Sequence, residues 1–162
     1  MIFDQETTDF FIRLALAALL GASVGLERRI AHKTAGMRTF SMVCFGSALF
    51  SIISQIAARD FLIDPAFNNT LRFDPARIAS QIVVGIGFIG AGLIILKEDR
   101  ITGLTTAAGL WAVAAIGMAV GFGLIKIAIF ATILILFILV VLWTIEHRFF
   151  SREYNKHPDD ET

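Results

Sequence analysis

The run from Leu104 to Ile145, LTTAAGLWAVAAIGMAVGFGLIKIAIFATILILFILVVLWTI, contains one charged side chain, Lys126, and no proline. A helix in water needs a polar face, and this run offers none over most of its length. It is also too long for one crossing, because about 20 helical residues span a hydrocarbon core. Its one break is Gly121-Phe122-Gly123, where glycine supplies the positive φ of a tight turn. The run therefore reads as two membrane spans, 104–120 and 124–145. Each must be helical, because lipid cannot satisfy open backbone groups.

Working outward, the same criterion yields three more spans at 10–26, 40–57 and 76–96. Composition agrees. Of 162 residues, 56% are apolar and 17% charged, with mean hydropathy +0.74, against about 45–50% and about 25% in soluble domains. Fourteen bases balance 14 acids, so no net field favours nucleic acid. A single cysteine, Cys44, excludes an internal disulfide and a CxxC metal pair. His32, His147 and His157 are scattered, so no metal, cofactor or enzymatic constellation is expected. The acidic start, with Asp4, Glu6 and Asp9, lacks the basic region of a cleaved signal peptide.

Orientation follows from Lys and Arg in short loops. Arg28, Arg29, Lys33, Arg38, Lys97, Arg100, Arg148, Arg152 and Lys156 fall on one side of the predicted spans; Arg59, Arg72 and Arg77 fall on the other. The expected fold is thus an all-α membrane protein with five transmembrane helices, N-terminus outside and C-terminus cytoplasmic. Residues 1–9 form a periplasmic N-terminus, 10–145 the transmembrane domain, and 146–162 a polar, disordered tail. The apolar outer loop 58–73 is expected to lie on the membrane surface.

Small residues let membrane helices approach closely. Gly21 and Gly25 continue a stripe from Ala17, Gly117 and Gly121 share a face with Gly109, and Gly85, Gly87, Gly90 and Gly92 crowd the third span. Spans one, three and four should form the centre, with span five facing lipid. The Gly21–Gly25 and Gly117–Gly121 faces serve either a homodimer or packing within one protomer. Gly85–Gly90 spells GxGxxG, but it lies mid-span without a preceding strand, so it is not a dinucleotide fingerprint.

Charges within spans are functional candidates. Arg13 continues the Ala17–Gly21–Gly25 stripe at i−4. Asp74-Pro75 opens span three, with Asp74 as N-cap and Pro75 at the first helical position. Asp74, Arg77 and Gln81 share one face, and span two ends with Ser47, Ser51, Ser54 and Gln55. We expect one outer polar cluster of Arg13, Ser54, Gln55, Asp74, Arg77 and Gln81. Three readings fit it: a cap with a snorkelling arginine, a wet pocket, or a buried ion-pair hub. Bases outnumber acids there, so an anion suits it better than Mg²⁺, which wants carboxylates. At the cytoplasmic face, Glu27 is placed to pair with Arg38 across the hairpin. Arg28, Arg29 and Lys33 serve the positive-inside signal. Thr105 and Thr106 open span four, and Trp111 is expected in its core.

These residues fall in five ordered blocks after the early Arg13: Gly21–Arg28 (GASVGLER), Ala35–Thr39 (AGMRT), Asp74–Ala79 (DPARIA), Gly85–Gly92 (GIGFIGAG) and Gly103–Trp111 (GLTTAAGLW). From about Arg13 to Val120 the sequence closely resembles the MgtC/SapB family of bacterial inner-membrane proteins, including its YhiD-like members. The resemblance implies a role in low-magnesium growth, acid stress and survival in host cells. It implies modulation of another membrane system, with ATP synthase a partner by analogy, and self-association. The family's characteristic positions map onto Arg13, Glu27, Arg38, Thr39, Asp74, Arg77, Thr105, Thr106 and Trp111. Virulence-associated members carry a soluble C-terminal domain; the short tail here favours a SapB or YhiD-like assignment.

Overall fold

A computed structural model describes residues 4–63, 76–97, 100–145 and 148. Asp74, residues 64–73 of the outer loop, and the tail from 149 lie outside the described residues.

Helix α1 (Gln5–Ile30) starts at Asp4, whose extended backbone lets its carboxylate accept from the Gln5 N–H at 2.7 Å. It closes with His32 at φ 54°. His32 N–H donates to the Arg29 carbonyl at 3.1 Å and Lys33 N–H to the Arg28 carbonyl at 3.0 Å. This is the Schellman pattern, with histidine where glycine is usual. Helix α2 (Met37–Ile63) runs back along α1, and α3 (Ala76–Ala91) returns. A hairpin follows, β1 (Ile95–Lys97) pairing antiparallel with β2 (Arg100–Thr102), with Lys97 opposite Arg100. Helix α4 (Leu104–Gly121) and helix α5 (Ile125–Phe137) complete the fold; α5 continues through a π-helical turn, Ile138–Leu142. Among the described residues four helical stretches are long and apolar enough to cross a membrane: Gln5–Ile30, Met37–Arg59, Leu104–Gly121 and Ile125–Ile145.

The third helix departs from expectation. It ends at Ala91 rather than at 96, and its 16 residues reach about 24 Å, short of the ~30 Å hydrocarbon core. The chain tightens after Gly90, with Leu93 N–H donating to the Gly90 carbonyl at 3.1 Å and Ile94 N–H to the Ala91 carbonyl at 3.2 Å. It then turns into strand. Gly103 makes this possible: it sits at φ 91°, and a Cβ there would lie 2.0 Å from the Leu93 carbonyl oxygen. Hydropathy alone does not separate a short apolar strand from the end of an apolar helix.

The centre also differs. Helix α4 contacts all four other helices, and its Leu110, Val113 and Val120 are fully buried with Val24, Phe40, Cys44 and Ala48. The helices that α4 packs around are α1 and α2, not α1 and α3. Ideal Cβ atoms on Gly117 and Gly121 would lie 2.1 Å from the Cys44 carbonyl oxygen and 2.5 Å from that of Ala48; on Gly21 and Gly25 they would meet the Phe40 carbonyl oxygen and Met37 Cα, each at 2.6 Å. Both glycine faces therefore close on α2 within one protomer. Gly85 and Gly87 meet nothing within 4 Å, and Phe88 is 84% exposed. A glycine creates contact only where a neighbour presents matching backbone, and α3 finds that at Gly90, whose Cβ would touch Ala107. Trp111 is exposed on the outside of α4 rather than in its core. Helix α5 is largely exposed as expected, burying Ala128, Thr132 and, in the π turn, Leu139.

These contacts set directions. Gly21 on Phe40 and Gly25 on Met37 make α1 and α2 antiparallel; Cys44 on Gly117 and Ala48 on Gly121 make α2 and α4 parallel. The start of α1, the end of α2 and the end of α4 thus share one end of the bundle.

Candidate functional site

At that end α4 terminates on the buried Gly121, where an unpaired carbonyl is costly. Gly123, at φ 79°, donates to the Val120 carbonyl at 2.9 Å, and Leu124 N–H donates to the Ala119 carbonyl at 2.8 Å. This Schellman turn satisfies two of the last carbonyls. The Gly121 carbonyl is satisfied by side chains from two other helices. Arg13 Nη1 donates to it at 3.2 Å and Gln55 Nε2 at 3.1 Å.

Arg13 is held on further sides. Its Nη2 lies 2.5 Å from Asp9 Oδ2, one turn earlier on α1, and its guanidinium carbon stands 5.8 Å from the Phe10 ring centroid. The guanidinium faces the negative end of the α4 dipole, a favourable position for a cation. Gly123 is favoured for its positive φ, and a Cβ there would stand 3.1 Å from Arg13 Nη1 and press on the guanidinium. Nearby, Glu6 and Arg59 form an ion pair between the start of α1 and the late part of α2. Ser54 is fully buried, and Ser51 Oγ donates to the Ser47 carbonyl at 2.8 Å.

Of the expected outer cluster, Arg13 and Gln55 are therefore brought together on one oxygen. Arg77 and Gln81 lie apart from it, lining a cavity of about 860 Å³ between α2 and α3 with Ser47, Phe50 and Gly85. Asp74 is outside the described residues. Sequence reasoning missed Asp9, although its i−4 spacing from Arg13 is a pairing signal. It missed the Gly121 carbonyl because a backbone acceptor leaves no trace in a side-chain pattern.

At the opposite end, the expected Glu27–Arg38 pair is not formed. Glu27 pairs with its neighbour Arg28, whose Nη2 donates to Glu27 Oε1 at 2.6 Å while Nε donates to Oε2. The reason is burial. Arg28 follows Gly21, Val24 and Gly25 on the inward face of α1 and is 2% exposed, whereas Arg38 and Thr39 are exposed. Arg28 thus belongs to the interior, not to a surface charge signal, and a buried cation needs a carboxylate more than a solvated one does. Thr106 is buried and Thr105 exposed. A groove of about 650 Å³ between α1 and the end of α5 is lined by Ser23, Glu27, His32, Trp143 and Thr144 among others. Among the described residues no three His, Cys, Asp or Glu side chains are grouped to hold a metal ion.

Comparison with known proteins places this arrangement. A profile of the MgtC family matches residues 14–148. The chain is 41% identical over 149 residues to an Escherichia coli protein named "Putative magnesium transporter YhiD", covering 92% of this chain and 67% of that one. It is 42% identical over 123 residues to the protein MgtC of Brucella abortus, covering 76% of this chain and 47% of the relative. With the protein SapB of Bacillus subtilis it shares 40% identity over 133 residues, 82% of this chain and 55% of the relative. The match thus spans about half the length of the latter two. No solved structure matches the chain. The matched span takes in Arg28, Gln55, Gly121 and the helices that carry them, and the chain belongs to the MgtC family.

Proposed function

We propose that this chain is a multi-pass bacterial inner-membrane protein that modulates another membrane system, ATP synthase or the machinery of ion homeostasis, under low-magnesium or acid stress. The observation that carries this reading is the way intramembrane charge is used. Arg13 is tied to Asp9 and the Gly121 carbonyl, and Arg28 to Glu27. Arg13 so engaged ties α1 to the end of α4 and Arg28 is matched by a carboxylate of its own helix, so neither is left to line a path, and a bundle with apolar outer faces suits contact with other membrane proteins. The positive-inside bias puts the Arg13 end outside and the Glu27 end in the cytoplasm. The homodimer implied by resemblance belongs to the same proposal; its interface lies off the Gly21–Gly25 and Gly117–Gly121 faces, which α2 occupies within the protomer.

The test is affinity purification of the full chain from membranes of cells grown at low magnesium, together with ATP hydrolysis by inverted vesicles with and without it. A recurrent membrane-complex partner and altered hydrolysis are expected. Purification without a recurrent partner, and unchanged hydrolysis, sinks the reading.

A second reading, small-ion transport, draws on the name carried by the Escherichia coli relative and on the cavity at Arg77 and Gln81. That cavity's charged lining residue is a cation, which suits an anion better than Mg²⁺. Proteoliposomes measured for flux of Mg²⁺, protons and phosphate decide it.

A further inference from the structure

The cavity between α2 and α3 is built differently from the rest of the bundle. At Gly21, Gly25, Gly117 and Gly121 the space is filled by neighbouring backbone. Here Gly46 on α2 and Gly85 on α3 face each other's helix across open space, with nothing within 4 Å of an added Cβ. The remaining walls are Met42, Val43, Phe50, Ile78, Ile82, Ile86 and Ile89. One end carries Arg77, with Gln81 one turn further along the same helix. Among the described residues the ion pairs are Arg13–Asp9, Arg28–Glu27 and Arg59–Glu6, so Arg77 has no carboxylate from them.

The dimensions are those of one lipid leaflet. From Arg77 to Ile89 the groove follows 12 residues of helix, about 18 Å, close to half of the ~30 Å hydrocarbon core. The volume, about 860 Å³, lies within the ~300–1,000 Å³ of small-molecule sites. We propose that this groove binds an anionic phospholipid of the surrounding bilayer, with its phosphate on Arg77 and Gln81 and an acyl chain laid along Gly46, Gly85 and Ile89. A second copy of the chain fits less well. A symmetric interface would bring one Arg77 toward the other, and among the described residues no acid lines the groove to neutralise them.

Gly46 and Gly85 suit the test, because a Cβ added at either meets nothing within 4 Å and a larger side chain there projects into the groove. The full chain, purified in detergent and incubated with equimolar phosphatidylglycerol and phosphatidylcholine, is analysed by native mass spectrometry. The wild type retains phosphatidylglycerol about 5-fold over phosphatidylcholine, the ratio one base near an anionic headgroup supplies. Arg77→Gln removes the preference, Arg77→Lys keeps it, and Gly46→Leu and Gly85→Leu lose retention of both lipids while the chain stays folded by circular dichroism. Lys126→Gln, removing an exposed base on α5, leaves the preference intact and serves as control. Equal retention of the two lipids by the wild type overturns the proposal. So does retention unchanged by the leucine variants, or a shift of the monomer–dimer ratio in those variants with lipid retention unaltered, which identifies the groove as a protomer interface.

Discussion

Arg13 and Gln55 come from different helices, 42 positions apart, yet donate to one oxygen, the Gly121 carbonyl. Sharing an acceptor has an energetic signature. With either side chain gone, the other still satisfies the carbonyl, so each single loss is softened. With both gone, a buried acceptor is stranded at about 1–3 kcal/mol. We expect Arg13→Leu and Gln55→Leu to be non-additive, the double variant falling below the sum of the singles by about 0.5–3 kcal/mol. Unfolding of the three variants in detergent measures this, and strict additivity means that the two donors act independently. Asp9 is half-exposed, so its pair with Arg13 orients the guanidinium more than it stabilises the fold. Arg28 is the opposite case: buried and held bidentately by Glu27, it depends on that one carboxylate.

At the scale of the element, glycine spacing was legible and glycine partnership was not. The sequence shows Gly117 and Gly85 as equivalent small residues in apolar helices. In the fold, a Cβ on Gly117 would stand 2.1 Å from the Cys44 carbonyl oxygen, and one on Gly85 meets nothing. Gly117→Ala therefore forces α4 and α2 apart, with a loss of about 1–3 kcal/mol or more from overpacking. Gly85→Ala gains up to about 1 kcal/mol, the difference between alanine and glycine in a helix interior. Thermal unfolding of the two variants tests the contrast, and equal effects would contradict the assigned packing. The same distinction explains what reading the chain alone achieved. The five helices and the Gly121–Gly123 turn follow from hydropathy and backbone chemistry, which are local. The central place of α2 does not, because Cys44, Ala48 and Ser51 announce nothing until another helix's glycines close on them. The hairpin was hidden for a related reason: Ile94–Leu96 is apolar in either conformation, and the choice is made by Gly103 against Leu93.

At the scale of the whole molecule, the parallel course of α2 and α4 and the opposite course of α1 divide the bases between two ends. Arg13, Arg59 and Arg77 are carried at one end, with Lys126 just beyond the turn from α4. Lys33, Arg38, Lys97 and Arg100 are carried at the other, by the α1–α2 connection and the hairpin. Burial of Arg28 removes one base from the surface count, but Arg29, exposed at the hairpin end, joins the four named there and keeps the excess on that side. We propose from the positive-inside rule that the hairpin is cytoplasmic and the α4–α5 turn outside. Cys44 is fully buried, so the native chain gives little thiol background and single cysteines can report on each end. In intact cells a membrane-impermeant maleimide should label Lys126→Cys and leave Lys97→Cys unlabelled until the inner membrane is permeabilised; both lysines are exposed, so failure to label is not a matter of burial. The reverse pattern would invert the topology and with it the leaflet that supplies a lipid to Arg77. Labelling of both positions in intact cells would mean that the two ends are not separated by a bilayer at all.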